Sequence, residues 1–437
     1  MTDKSFVKAW YWYDWAVSAF TTTVITVLIG PYLTSVTKAA SVNGFVNVFG
    51  IELFAGSFVP YIVSLSVILQ VFLLPYIGTL SDNSNNKNKL FAITAFSGGL
   101  ITSLMYFIKD DNFLIGGVLL LLANLLFGSS MVIYNSYLND ISEENERDKI
   151  SSRGFAYGYL GGGLLLALNL ALISNAESIG ISTGDAVRIS LSSAGIWWLI
   201  FSLIPIFKFR FLKIERNEVS KNENNFKAFI NTIKDLKKYP HTLLFLLAYT
   251  FYNDGIQSVI VVSSQFGQEA LGLDISVLTT VILMVQFVAF LGAILFEQLS
   301  KLTNTKTALI VSIIIWIFAI MYAYFFLNSE SGFYFLGAII GLVLGGSQAL
   351  SRSLYSLLIP KGKEAEYFGI YEISERGTSW IGPLIFGLSL QFTASYKFAI
   401  LSLALLFIVG LILVLKVNFR QGALAVGNSV PNNISLK

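Results

Sequence analysis

Apolar segments of roughly 20 residues, long enough to cross the hydrocarbon core of a bilayer, recur about twelve times along this chain. They lie near 14–36, 56–79, 90–108, 113–137, 153–173, 190–212, 242–263, 275–297, 306–327, 333–358, 367–391 and 397–417. A segment in lipid must satisfy its own backbone hydrogen bonds, so each is predicted to be a helix. The expected fold class is an all-α polytopic membrane protein with about 12 transmembrane helices. Composition agrees, since 55% of the 437 residues are hydrophobic and only 13% are charged. A water-soluble core could not hide that much apolar surface.

The connections are short except near 213–240. That linker divides the chain into an N-terminal half (1–212) and a C-terminal half (241–420) of about six helices each, as in many carriers built from repeats. Within the linker, Phe226, Phe229, Ile230, Ile233 and Leu236 recur at helical spacing opposite Lys227, Lys234 and Lys237. This pattern predicts a basic amphipathic helix on the membrane surface, with a plain solvated linker as the alternative. The polar stretch 421–437 is expected to be disordered. Lys and Arg set the orientation. With the N-terminus inside, Lys4, Lys8, Lys87, Lys89, Arg147, Lys149, Arg153, the block from Lys208 to Lys238, Arg352, Lys361 and Lys416 are all cytoplasmic. Lys38, Lys109, Arg188 and Lys397 remain for the outer side, so both termini are expected in the cytoplasm. The apolar segment after Lys4 and Lys8 is too long for a signal h-region and lacks a small-residue cleavage pattern.

Several function classes drop out. Cysteine is absent and His241 is the sole histidine, which excludes disulfides, thiol catalysis and Cys- or His-based metal sites. The Gly-Gly runs follow no strand and precede no Lys-Ser/Thr, so they are not phosphate loops. A net charge of +3 gives no nucleic-acid signal. The chain is expected to be neither an enzyme nor a cofactor or metal binder, and to meet a small-molecule solute, the lipid bilayer and no nucleic acid.

Ionisable residues inside a span are costly and mark functional sites. Asp254 lies mid-way along the seventh segment in Tyr252-Asn253-Asp254-Gly255, with Gln257 one turn on. Asn-Asp-Gly favours local unwinding, and an unwound turn belongs against a cavity. Either Asp254 binds a solute cation or a coupling proton, or it bonds a neighbouring helix. In the eleventh segment Glu372 and Arg376 are four residues apart and share a face, with Arg376 roughly 13 Å inside the span. A guanidinium there suits a carboxylate ligand; a permanent intramembrane salt bridge is the alternative. Asn135 and Gln286 are further polar candidates, while Asp14, Gln348 and Arg352 are read as anchors or interhelical glue. Helix 5 carries Gly154, Gly158, Gly161, Gly162 and Gly163, which let backbones approach closely.

The halves echo one another. Gly78-Thr-Leu-Ser-Asp82 leads to Lys87, and Glu297-Gln-Leu-Ser-Lys301 leads to Lys306 at the same spacing; Gly128 to Tyr137 parallels Gly346 to Tyr355. The first motif resembles the loop between helices 2 and 3 of the major facilitator superfamily, with Asn83 and Asn85 at its usual basic and glycine positions. That resemblance implies a cytoplasmic latch in which Asp82, Gly78 and Lys87 act on conformation. The glycines of helix 5 are similar to the superfamily's antiporter motif, with Tyr159 in place of its proline. Tyr13-Asp14-Trp15, Ser152-Arg153-Gly154-Phe155, Tyr252-Asn253-Asp254-Gly255, Ser351-Arg352-Ser353 and Phe368 to Gly377 together resemble the unknown major facilitator family. That family includes the autophagy-linked vacuolar amino-acid effluxers of fungi. The resemblance implies a secondary transporter of a small polar solute, an amino acid first, by alternating access with protons as a candidate coupling ion. Asp254, Asn253 and Gln257 would take the ammonium or proton and Arg376 the carboxylate, Glu372 pairing with Arg376 when the site is empty. A lipid flippase on the same scaffold and a non-transporting sensor are the alternatives. Short loops look more bacterial than fungal, so a bacterial plasma membrane is expected, and the chain is expected to be a monomer.

Overall fold

The computed structural model describes residues 4–83, 87–109, 111–212, 234–376, 381–393, 395–431 and 434. Helix α1 runs Lys4–Ala39 and includes a π-helical section, Phe20–Leu28. It is followed by a hairpin of β1 (Phe45–Val48) and β2 (Ile51–Phe54). The N-terminal half continues with α2 (Phe58–Asn83), α3 (Lys87–Ser103), α4 (Phe113–Asp140), α5 (Arg147–Ser174) and α6 (Thr183–Lys208). The C-terminal half comprises α7 (Pro240–Leu271), α8 (Ile275–Leu302), α9 (Thr305–Phe325), α10 (Glu330–Leu357), α11 (Glu364–Arg376), α12 (Ile381–Thr393), α13 (Tyr396–Ser402), α14 (Ala404–Lys416) and α15 (Phe419–Ala425).

Among the described residues, eleven helices are long and apolar enough to span a bilayer. The eleventh expected span, 367–391, is described as α11 and α12, on either side of 377–380, which lie outside the described residues. The linker's expected amphipathic helix, read from Phe226 to Lys237, also lies outside them up to residue 233, and 234–236 are helical. Polar residues start the helices that follow turns. Ser182, Asn304, Ser329 and Asn418 each accept a backbone N–H three residues on, meeting donors that the first turn leaves open.

Each half has its own apolar core, one built on Trp10, Phe20, Tyr134 and Trp198, the other on Tyr249, Trp316, Tyr355 and Phe407. Helices α1 and α5 cross closely along the glycine stripe. A Cβ on Gly158 would stand 2.6 Å from Ser18 Oγ, and one on Gly162 2.8 Å from Thr22 Oγ1. The halves meet through α2 against α11 and, at the pseudo-equivalent place, α8 against α5. Gly78 packs on the backbone of Ala365 and Glu366, and Gly163 on Gln286 and Phe287.

Two regions differ from expectation. The hairpin β1–β2 breaks the all-helical pattern because Phe49 and Gly50 both take positive φ, as its two-residue turn requires, and Asn47 Oδ1 accepts the Gly50 N–H at 2.8 Å. The polar stretch from Gln421 was expected to be disordered, yet α15 extends to Ala425 and Asn428 is buried. Asn428 Nδ2 donates to the carbonyls of Leu357 and Ile359 (2.8 and 2.9 Å), which the end of α10 leaves open.

Because the α1–α5 crossing has no room for a side chain, Gly162→Val should lower stability by about 1–3 kcal/mol through overpacking. A fall in thermal unfolding temperature in detergent would register it, and an unchanged melting curve would show that the two helices can move apart freely.

Candidate functional site

A cavity of about 700 Å³ lies between the two halves. Its wall reaches Val63, Phe266, Leu278 and Phe333, near the helix ends opposite the chain termini, and descends to Asp14, Asn135 and Arg352. The π-helical section of α1 lines one side. Thr26 Oγ1 donates five residues back to the Thr21 carbonyl (2.8 Å), and Thr21, Thr22 and Thr26 all border the cavity. A π-helical turn of this kind widens the helix and often marks a functional site.

Arg352, on α10, is the hub of the floor and is 1% exposed. Its Nε donates to Ser151 Oγ at 2.9 Å and its Nη2 to the Ser151 carbonyl at 3.0 Å, both on α5. Nη2 also reaches Asp14 Oδ2 on α1 at 3.3 Å, and Nη1 reaches Asn135 Oδ1 on α4 at 3.3 Å. The guanidinium carbon stands 4.1 Å from the ring centre of Phe155 and 4.5 Å from that of Trp10. Asn135 Nδ2 in turn donates to Glu372 Oε1 on α11 at 2.7 Å. One C-terminal-half cation is thus held by three N-terminal-half helices, and one N-terminal-half amide returns a bond to the C-terminal half. Tyr159 also bonds Gln348 across the halves, and both border the cavity together with Glu375.

Asp254 lies elsewhere. It is 1% exposed and its Oδ2 accepts the backbone N–H of Gly382 at 2.8 Å, in the first turn of α12. Its neighbour Asn253 donates through Nδ2 to the Glu375 carbonyl at 3.1 Å, near the end of α11. The pair therefore ties α7 to both α11 and α12. The expected unwinding at Asn-Asp-Gly does not occur, and α7 is continuous through it. Both side chains are engaged across the helix interface instead of competing for their own backbone. The Tyr252 hydroxyl lies 2.5 Å from Ser351 Oγ. Gln257 and Gln286 border the cavity, and Gln286 Oε1 is buried without a hydrogen-bond partner among the described residues. Glu372 is buried at the floor, bonded to Asn135, and the side chain of Arg376 lies outside the described residues.

Below the floor, at the end that carries the termini, the halves are sealed together. Asp82 accepts the backbone N–H groups of Ala365 (3.1 Å) and Glu366 (2.8 Å), capping α11 from the end of α2. Asn139 and Arg147 donate to the Ser356 carbonyl at 3.2 and 3.0 Å, and Ser353 Oγ donates to Asp148 at 2.5 Å. Glu297 pairs with Arg153 across the halves at 3.5 Å and with Lys301 at 2.5 Å. Lys87 pairs within its own half, 2.6 Å from Asp140 and over the ring of Tyr137. The cavity is closed toward the termini.

A family described as vacuole effluxer Atg22 like matches this chain over residues 2–426. The chain belongs to that family. The MFS-type transporter YxiO of Bacillus subtilis (strain 168) is 30% identical over 94% of this chain and 95% of its own length. Autophagy-related protein 22 of Kluyveromyces lactis is 24% identical over 81% of this chain and 78% of its own. Among solved structures, the proton:xylose symporter XylE superposes with a TM-score of 0.70 at 12% identity, covering 94% of this chain and 95% of that one. The E. coli fucose:proton symporter FucP gives 0.69 at 11% identity, covering 95% and 98%. These two likenesses show the fold, that of a multi-pass major facilitator transporter.

The structure thus brings Asn135, Glu372, Gln257 and Gln286 to the cavity or its floor in this Atg22-like protein, and sets Asn253, Asp254 and Tyr252 behind its wall. Sequence reasoning passed over Asp14 and Arg352 as anchor and glue. Their signal was available: both are charged residues of opposite sign within the expected cytoplasmic ends of apolar segments, and each needs a partner.

If the Asp82 cap holds the closed end, Asp82→Ala should weaken the seal by about 1 kcal/mol. The chain has no cysteine, so a reporter thiol at Ser356→Cys can be labelled alone. Maleimide labelling several-fold faster in the Asp82→Ala background is expected; an unchanged rate would remove Asp82 from the latch.

Proposed function

We propose that this transporter carries amino acids by alternating access, as a monomer in a bacterial plasma membrane with both termini in the cytoplasm. The observation that carries the reading is the Arg352–Asp14 pair at the floor of a cavity shared by both halves. A guanidinium presents a planar fork to a carboxylate, and a carboxylate beside it accepts an ammonium. An α-amino acid supplies both groups within one small framework. In this reading Arg352 binds the substrate carboxylate and Asp14 the ammonium, with Glu375 and Asn135 beside them. The amides of Gln257 and Gln286 and the threonines of α1 face the remainder of the solute, and Arg376 keeps no assigned part.

Asp254 is suited to a different task. Among the described residues its buried Oδ1 has no hydrogen-bond partner, whereas Oδ2 accepts the Gly382 N–H. A proton on Oδ1 leaves that bond intact, so the carboxyl can take up and release a proton without breaking it. Asn253 and Tyr252 hold the neighbouring backbone and Ser351 in place. Glu372 ties Asn135 to α11 from the substrate side.

Counterflow of an amino-acid panel in proteoliposomes tests the substrate class. Saturable exchange of at least one amino acid is expected, falling at least about ten-fold in Arg352→Lys, where a point charge replaces the fork. Silence across the panel from folded protein would discard the substrate assignment. For coupling, Asp254→Asn keeps an acceptor for Gly382 and removes the titratable oxygen. Counterflow should survive in this variant while uphill uptake under a proton gradient is lost, and retained uphill uptake would exclude Asp254 as the proton carrier.

A further inference from the structure

A second concave site, of about 440 Å³, lies outside the transport cavity, between the first turns of α1 and the last turns of α6. Lys8 and Lys208 stand at its edge, and Trp12, Ile204, Phe207 and Phe211 form its floor. Some basic side chains near helix ends are answered by acids, Lys87 by Asp140, Lys301 by Glu297 and Lys363 by Asp235. Among the described residues Lys8 and Lys208 have no ion pair, and the Lys208 ammonium rests over the Phe6 ring at 5.0 Å. The segments 4–12 and 204–212 carry Lys4, Lys8, Lys208 and Arg210 and no Asp or Glu. Among the described residues the groove therefore holds an uncompensated positive field.

The floor is apolar and open. Phe207 is 52% exposed and Phe211 76%, and Trp12 lies flat on Phe201 with ring centres 5.4 Å apart. Above it on α6, Ile200 and Leu203 are also exposed, so the groove runs without interruption into the face that meets acyl chains. Trp and Tyr at such a level occupy the headgroup boundary of a bilayer. A soluble anion would leave the aromatic floor in water, and a neutral lipid would leave two ammonium groups unanswered. We propose that this groove is a binding site for one phospholipid with an anionic headgroup, its phosphate between Lys8 and Lys208 and an acyl chain along Ile204 and Ile200.

The test is native mass spectrometry of the full chain in detergent, titrated with phosphatidylglycerol or with phosphatidylcholine of the same acyl chains. Selective retention of one phosphatidylglycerol is expected. Each of Lys8→Gln and Lys208→Gln should weaken it about five-fold, and the double variant about 25-fold. Lys38→Gln with Lys109→Gln, at the opposite helix ends, should change nothing. Thermal melting of the same samples confirms that each variant is folded. Equal retention of the two lipids, or a phosphatidylglycerol preference untouched in folded Lys8→Gln/Lys208→Gln protein, would overturn the site. Amino-acid counterflow does not enter this readout, so the lipid site and the transport reading stand or fall separately.

Discussion

A guanidinium buried in the middle of a membrane protein has to be answered on every side, and the two halves of this transporter are arranged around that demand. Arg352 belongs to the C-terminal half, but its acceptors come from α1, α4 and α5 of the other. Removing one partner from such a buried pair typically costs about 3–5 kcal/mol, because the remaining charge is stranded. The requirement reaches into the backbone. A Cβ on Gly154 would stand 2.5 Å from the Trp10 ring and 3.0 Å from Arg352 Nη2, so the helix that supplies Ser151 must carry glycine one turn later. Trp10 stacks on Tyr134 with ring centres 4.5 Å apart and donates its indole N–H to the Tyr134 carbonyl, which fixes the aromatic side of the same pocket. Charge, glycine stripe and aromatic cluster are one construction.

That construction is asymmetric within a symmetric frame. Counting from Gly128 and Gly346, Tyr134 and Arg352 occupy the same place in their halves. Asp14 and Asp254 lie in the first helix of each half, each four residues before a serine. Asp14 faces the cation; Asp254 faces no cation in the described residues and instead accepts the backbone N–H of Gly382 within its own half. The two loop motifs diverge in the same manner. Asp82 caps α11 through backbone N–H groups, whereas Glu297, at the pseudo-equivalent interface, pairs with the side chain of Arg153. Both motif interfaces retain a cross-half contact, but through different positions, since Lys301 stands at the place of Asp82 and Glu297 at that of Gly78.

The spans were legible in the sequence because lipid imposes one solution on an apolar run, a helix that closes its own hydrogen bonds. The latch motif and the glycine stripe were legible for related reasons, since spacing alone decides which residues line an interface. What escaped was the identity of partners. Asp254 read as a cavity residue because a mid-span carboxylate needs an answer, and nothing local says that Gly382, 128 positions away, supplies it. Arg352 read as glue for the same reason, its acceptors lying at Asp14, Asn135 and Ser151. The polar tail near Asn428 was misread by composition, because its amide meets carbonyls that α10 exposes only once folded. The hairpin turn at Phe49-Gly50 went unread beside the apolar runs that flank it.

On the proposed reading, the floor also bears on how a bound solute eases the opening of the other end. Opening the end that carries the termini requires Arg352 to part from Asp14 and Ser151, since these bonds join the halves. With the cavity empty, that motion leaves a guanidinium and a carboxylate desolvated and unpaired, the most unfavourable arrangement available in a low-dielectric interior. A solute carrying its own carboxylate and ammonium answers each charge separately, and the pair can part without either being stranded. A ligand shifts a conformational equilibrium only through its differential affinity for the two states. Here that differential arises because the solute's charges substitute for the bond between the halves. On the proposed reading, substrate binding and gate release are therefore the same electrostatic exchange, and a neutral solute that fitted the apolar upper wall would occupy the cavity without freeing the floor.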